Sequence, residues 1–259
     1  MTTPVIEAEE LGKDHISHFL RKRFTAVDRL NLQVMRSETY GLLGLNGAGK
    51  TTTLKLMLGL LRPTRGRVSV LGYPAGHRRA LGRIGFLPEN PYFYSYLTGR
   101  EFLDFAGQIF GLPGAERRKR VQALLKMVSL TEAAGTAIRK YSKGMMQRLG
   151  IAQSLINDPE IIFWDEPTSG LDPIGRRDVR LILLSLKEQG KTIFFNSHLL
   201  PDVSEVCDRV GVLHRGVLVG EERMANITGG GGHYRNLEDY FLDCINRAEE
   251  DGKAVPKAG

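Results

Sequence analysis

The segment Gly44-Leu-Asn-Gly-Ala-Gly-Lys-Thr51 sets glycines, a lysine and a threonine in the order G-x-x-x-x-G-K-[ST], the pattern of a loop that holds phosphate. Glycines at 44, 47 and 49 remove the Cβ atoms that would keep the backbone away from an anion. The backbone of Asn46, Gly47, Ala48, Gly49, Lys50 and Thr51, with Thr52 just beyond, is expected to bind a nucleotide, aided by the positive end of the helix that follows. Lys50 is expected to reach the β- and γ-phosphates, and the Thr51 hydroxyl to ligate Mg²⁺. The context is the required one, with an apolar strand Tyr40–Leu43 before the loop and an apolar helix, Lys50 to Leu61, after it. Farther on, Ile161-Ile-Phe-Trp-Asp165 reads as a buried strand that ends in a carboxylate, followed at once by Glu166. Asp165 at the strand's C-terminal edge can hold Mg²⁺ through a water. Glu166, one residue further, can orient or deprotonate an attacking water.

Further segments around this pair carry a family resemblance covering about residues 5–225. Tyr141-Ser-Lys-Gly-Met-Met-Gln-Arg148 resembles the signature motif of ATP-binding cassette proteins, Pro167-Thr-Ser-Gly-Leu-Asp172 resembles their D-loop, and Asn196-Ser-His198 resembles their switch histidine. The resemblance implies an ATPase that sandwiches two ATP molecules in a head-to-tail pair of cassettes. Ser142, Lys143, Gly144 and Met145 would then clamp the nucleotide of the opposite subunit, and Asp172 would link the two sites. His198 would contact the γ-phosphate and the attacking water, completing a catalytic set with Glu166 and Lys50. Ser142 stands where a helix N-cap is expected, and a capped helix start with Gly144 at its tip suits a phosphate. The sequence departs from the family pattern at Tyr141, Lys143 and Met145, which replace a Leu, a Gly and a Gln. This form is similar to that of exporter-type members. Glu89 occupies the place of a glutamine expected to approach the metal. Of two aromatic residues ahead of the loop, Phe19 fits an adenine-stacking role better, while Phe24 is expected to pack in its strand.

These residues need a scaffold that brings strand ends together. Strand-like segments occur at 5–10, 24–34, Arg67–Leu71, Ile84–Leu87, Glu160–Trp164, Thr192–Phe195 and Val210–His214. Helical periodicity runs over 99–110, 115–128, 143–157, 174–189 and 200–207. Strands alternating with helices argue for a parallel α/β sheet. The stretch Pro91 to Lys140 interrupts the alternation and reads as a helical insertion whose basic run Glu116-Arg-Arg-Lys-Arg120 is a solvated face. The fold class is therefore α/β, which the resemblance refines to a P-loop NTPase core of mainly parallel sheet, an antiparallel N-terminal β-subdomain and an inserted helical subdomain. The expected organisation is a cassette over residues 1–228 with the insertion at about 90–157, then a four-glycine linker, an amphipathic helix and a disordered tail in 229–259. That last helix would share Leu237, Tyr240, Phe241 and Ile245 on one face.

Composition sets outer limits. Hydrophobic residues at 42% and charged ones at 25% describe an ordinary globular chain, which excludes a disordered one. The net charge of +7 suits nucleotide phosphates, nucleic acid or an anionic membrane face, and decides among none of them. Cys207 and Cys244 form no metal-type spacing, and the N-terminus has no secretory h-region. The longest apolar runs fall well short of the roughly 18 residues of a membrane span. A permease would then be a separate chain, with this one peripheral on the cytoplasmic face of the inner or plasma membrane, working as a homodimer or heterodimer of cassettes and without nucleic acid. Asn90-Pro-Tyr-Phe-Tyr-Ser-Tyr96 supplies aromatic side chains suited to a partner surface. The rival reading is a soluble cassette ATPase of DNA repair, ribosome rescue or iron–sulfur assembly. No coiled coil, zinc cluster or second cassette supports it.

Overall fold

The computed structural model describes residues 3–16, 23–228 and 234–252. The chain divides into two compact units, Met1–Leu81 with Asn196–Gly259, and Gly82–Phe195.

The first unit opens with β1 (Ile6–Ile16), β2 (Arg23–Val34), β3 (Thr39–Leu43), α1 (Lys50–Met57), β4 (Arg65–Val70), β5 (Tyr73–Pro74) and α2 (Arg78–Leu81). The second holds β6 (Ile84–Leu87), α3 (Gly99–Ile109), α4 (Gly114–Met127), a 3-10 turn at Ile138–Lys140, α5 (Lys143–Ser154), β7 (Ile161–Asp165) and α6 (Pro173–Glu188). The chain leaves it along β8 (Thr192–Ser197) and finishes the first unit with α7 (Leu200–Val206), β9 (Arg209–His214), β10 (Val217–Arg223), α8 (Met224–Thr228) and α9 (Leu237–Glu250).

In the first unit, β2, β1, β4 and β5 form an antiparallel sheet in that order, with Ile6 opposite both Val34 and Val70. Leu30, Leu32 and Val34 alternate inward along β2, the period-two pattern of a sheet with one packed face. Beside it β3 runs parallel to β9, Leu42 opposite Gly211, and β10 returns antiparallel to β9. All of β3 is buried, as the central strand of an α/β layer must be. The mixed parallel and antiparallel strands with flanking helices make an α/β fold, as expected from the sequence.

In the second unit β6 and β7 pair in parallel, Phe86 opposite Phe163, and only helices and the 3-10 turn lie between them in the chain. Thr98 starts α3 with a reciprocal capping box to Glu101. The basic run is only partly solvated. Arg117 bonds Asp104 at 2.6 Å, and Arg120 reaches the Leu155 carbonyl at 2.8 Å, so these two arginines tie α4 to its neighbours. A Cβ on Gly85 would overlap the Ser154 carbonyl oxygen and stand 2.9 Å from the Pro159 ring. Gly85→Ala is therefore expected to destabilise the chain by about 1–3 kcal/mol, the usual range for overpacking, seen as a lower urea midpoint at unchanged slope. An unchanged midpoint would show that α5 can retreat without loss.

Three details differ from the sequence reading. Helix α1 stops at Met57 instead of Leu61, because Gly59 takes φ 71° and the Leu60 amide folds back onto the Lys55 carbonyl, a glycine C-cap. Strand β10 lacks buried residues and so has no period to read. Helix α9 buries Leu237, Tyr240, Cys244 and Ala248 instead of the expected stripe, leaving Phe241 and Ile245 only half-buried. The cause is Gly220 in β10, whose missing side chain leaves room for Cys244 Sγ and the Tyr240 hydroxyl. The helix also continues to Glu250, past the point where disorder was expected, and the glycine linker lies outside the described residues.

Candidate functional site

The phosphate-type loop leaves the C-terminal end of β3 and enters α1 at Lys50. Two of its glycines are needed because backbone passes close by. A Cβ at Gly44 would overlap the Leu213 carbonyl oxygen, and one at Gly49 would overlap that of Ala26. Gly49 also takes φ 106° at the N-cap, and no side chain caps the helix there. The start of α1 thus lacks a side-chain cap, and no acidic residue in the first turn offsets the dipole. The Ala48 amide donates to Leu45 O at 3.1 Å, and the Ala48 carbonyl accepts from the Gly216 amide at 2.8 Å, closing and anchoring the loop. Lys50 is buried, and its ammonium donates to Gly44 O at 2.8 Å, so the charge is held across the loop mouth. Thr51 and Thr52 are half-buried on the same first turn.

In the second unit every residue of β7 is buried, which delivers Asp165 to the strand's end at 2% exposure and Glu166 just after it at 6%. Glu166 takes φ 51°, a left-handed conformation that a non-glycine residue adopts only when its surroundings hold it. Those surroundings are visible: the Ser169 amide donates to Glu166 O at 3.0 Å, and the buried Gln147 amide donates to Pro167 O at 2.9 Å. Leu87 of β6 pairs with Trp164 of β7 in parallel, so Glu89 leaves at the same sheet edge as Asp165, and it is exposed.

Ser142 caps α5, its Oγ accepting from the Met145 amide at 3.2 Å, and Asp172 caps α6, accepting from the Gly175 amide at 2.7 Å. Both helix starts open onto one cavity of about 490 Å³ lined by Ser142, Lys143, Gly144, Arg148, Leu171 and Asp172 among others. The fold thus brings together in one unit the two segments set apart in sequence as signature and D-loop. Back in the first unit, His198 is the first residue beyond the wholly buried β8 and is exposed. The Ser197 hydroxyl accepts from the Leu199 amide at 2.9 Å and turns the chain there.

Phe19 lies outside the described residues. Phe24, expected to pack in its strand, is exposed and stacks on His15 with ring centroids 5.3 Å apart. Sequence reasoning missed Gln147 as a support for the Glu166 turn and Gly216 as a support for the loop. A polar residue on the buried face of α5 is a signal for the first; nothing local marks the second.

With this geometry in hand, comparison with known proteins is specific. Residues 27–169 match the family model of the ABC transporter. An uncharacterized ABC transporter ATP-binding protein of Synechocystis sp. is 50% identical over 228 residues, covering 87% of this chain and 64% of the relative. The bacitracin transport ATP-binding protein BcrA of Bacillus licheniformis is 42% identical over 199 residues, covering 76% of this chain and 64% of the relative. The chain thus spans just under two thirds of the length of these relatives. A dimeric ATP-binding cassette solved in a post-hydrolysis state with ADP and Pi superposes with a TM-score of 0.77 at 27% identity, covering 85% of this chain and 98% of that one. This chain belongs to the ABC transporter family, among its ATP-binding proteins.

Proposed function

We propose that the chain is the ATP-hydrolysing subunit of an exporter, binding MgATP on the Gly44–Thr52 loop and turning it over between two cassettes. The observation that carries this is the buried Lys50 ammonium held over a loop of close-packed glycines at an uncapped helix start. Such a cradle fits a polyphosphate, because its donors and its charge are in place before the ligand arrives. Thr51, Asp165 and Glu89 offer hard oxygen donors of the kind Mg²⁺ takes, and among the described residues no group of three His, Cys, Asp or Glu forms a metal cage of its own. Held by these residues, the ion would neutralise charge on the phosphates.

In this reading Lys50 draws charge from the β- and γ-phosphates, and Glu166 accepts a proton from the attacking water. As the water oxygen bonds to the γ-phosphorus, the bond to the bridging oxygen breaks, giving ADP and phosphate. His198 orients the water and the γ-phosphate. The second cassette presents its Ser142–Met145 helix start, and Asp172 couples the two sites. Phe19 stacks on the adenine. Residues 1–228 act as the cassette, with the helical stretch of about 90–157 as its inserted arm and 229–259 as an extension.

Export through a separate permease is supported by the transport relatives and by the aromatic segment after Glu89. Phe93 packs edge-on against Phe102 at 5.0 Å, while Tyr92 is 95% and Tyr96 72% exposed. Exposed tyrosines in the loop ahead of α3 suit a partner that buries large rings. No described helix is long and apolar enough to cross a membrane. In this reading a multi-span partner holds the chain at the cytoplasmic face. Purification of the tagged chain from detergent-solubilised native membranes is expected to bring down a stoichiometric multi-span protein, and the Tyr92→Ser, Tyr96→Ser double variant to lose it. A soluble dimer without membrane partner would move the reading to a soluble cassette ATPase.

A further inference from the structure

The turn between β9 and β10 forms part of the floor beneath the phosphate-type loop. The Gly216 amide donates to Ala48 O at 2.8 Å, and Gly216 O accepts from the Asp28 amide at 2.8 Å. Leu213 lies beneath Gly44 and Gly49, and the Ala26 carbonyl approaches both Gly49 and Gly216. Between these contacts Arg215 takes φ 46° and Gly216 φ 84°, the positive-φ pair of a two-residue hairpin loop.

The C-terminal helix packs against this hairpin. Through Leu237, Tyr240, Cys244 and Ala248, α9 packs against β9 and β10. Its last turn sets Glu249 Oε1 3.5 Å from His214 Nε2 and 3.6 Å from the Arg215 guanidinium. One carboxylate therefore lies beside the turn at two successive residues, and the next residue in the chain, Gly216, holds Ala48. His214, Arg215 and Glu249 have no role in the hydrolysis described above.

We propose that Glu249 is a positioning residue for nucleotide binding, acting from the end of α9 through the His214–Gly216 turn on the Ala48 carbonyl and so on the shape of the loop. The inference rests on the nucleotide-binding reading of that loop. An exposed ion pair is weak, so its loss is expected to lower affinity by no more than about fivefold. The groups that face His214 are Arg215 from the turn and Glu249 from α9. Burial, then Arg215, hold its imidazole below the ordinary value, and Glu249 opposes both.

The test uses the full chain with Glu249→Gln, and Glu250→Gln as a control of equal charge change on the exposed neighbour. Calorimetric titration with ATP is expected to show affinity about three- to fivefold weaker in Glu249→Gln, unchanged in Glu250→Gln and partly restored in Glu249→Asp. NMR titration of His214 is expected to move to lower pH in Glu249→Gln only, a readout that general loosening of the helix would not single out. ATP affinity equal to wild type in Glu249→Gln, with the His214 titration shifted, would overturn the inference and leave the nucleotide reading intact. Absence of ATP binding in the wild-type chain would overturn both.

Discussion

Glu166→Gln is expected to abolish steady-state ATP hydrolysis while the chain still binds ATP. The substitution keeps the side chain's size and its buried place at the end of β7, so the left-handed turn and its bonds from Ser169 and Gln147 survive. What it removes is a group able to take a proton from water. A positioned general base contributes about a hundred- to ten-thousand-fold, and the loss should fall in kcat with little change in ATP affinity. With cleavage blocked, two cassettes would remain closed on uncleaved ATP. Turnover at the wild-type rate would remove Glu166 from the mechanism and leave its strained backbone without a functional reason.

Lys50→Ala acts one step earlier. The ammonium is the charge that the glycine loop encloses, donating to the Gly44 carbonyl at 2.8 Å. Charge-assisted hydrogen bonds contribute about 1.5–3 kcal/mol, so MgATP affinity measured by calorimetry should fall about ten- to a hundredfold. Lys50 is buried, so a thermal melt must accompany the titration to show that the variant is folded. A folded variant with unchanged affinity would mean that the loop's amides alone hold the phosphates.

The site was most legible where its chemistry is backbone chemistry. Glycines at 44 and 49 can be read in sequence because nothing else fits against the Leu213 and Ala26 carbonyls, and the strand ending in Asp165 because an apolar run must be buried. The departure at Tyr141 also becomes intelligible in the fold: the ring is buried, its hydroxyl donates to Ala133 O at 2.8 Å, and Gly99 leaves room for it. Less legible were features set by distant partners. The seam of α9 follows from a glycine in another strand, β10 is an edge strand without a buried face, and the Gly216 bond to Ala48 joins segments far apart in the chain. The position of Phe19 falls outside the described residues, so its place at the adenine rests on spacing from Lys50 alone.

The most direct measurement is the mass in solution of the Glu166→Gln chain by light scattering, with and without MgATP. The expected result is a single-chain mass without nucleotide and twice that mass with it, reverting when the signature helix start is blocked by Ser142→Arg. A single-chain mass at saturating ATP would contradict a site completed by a second cassette.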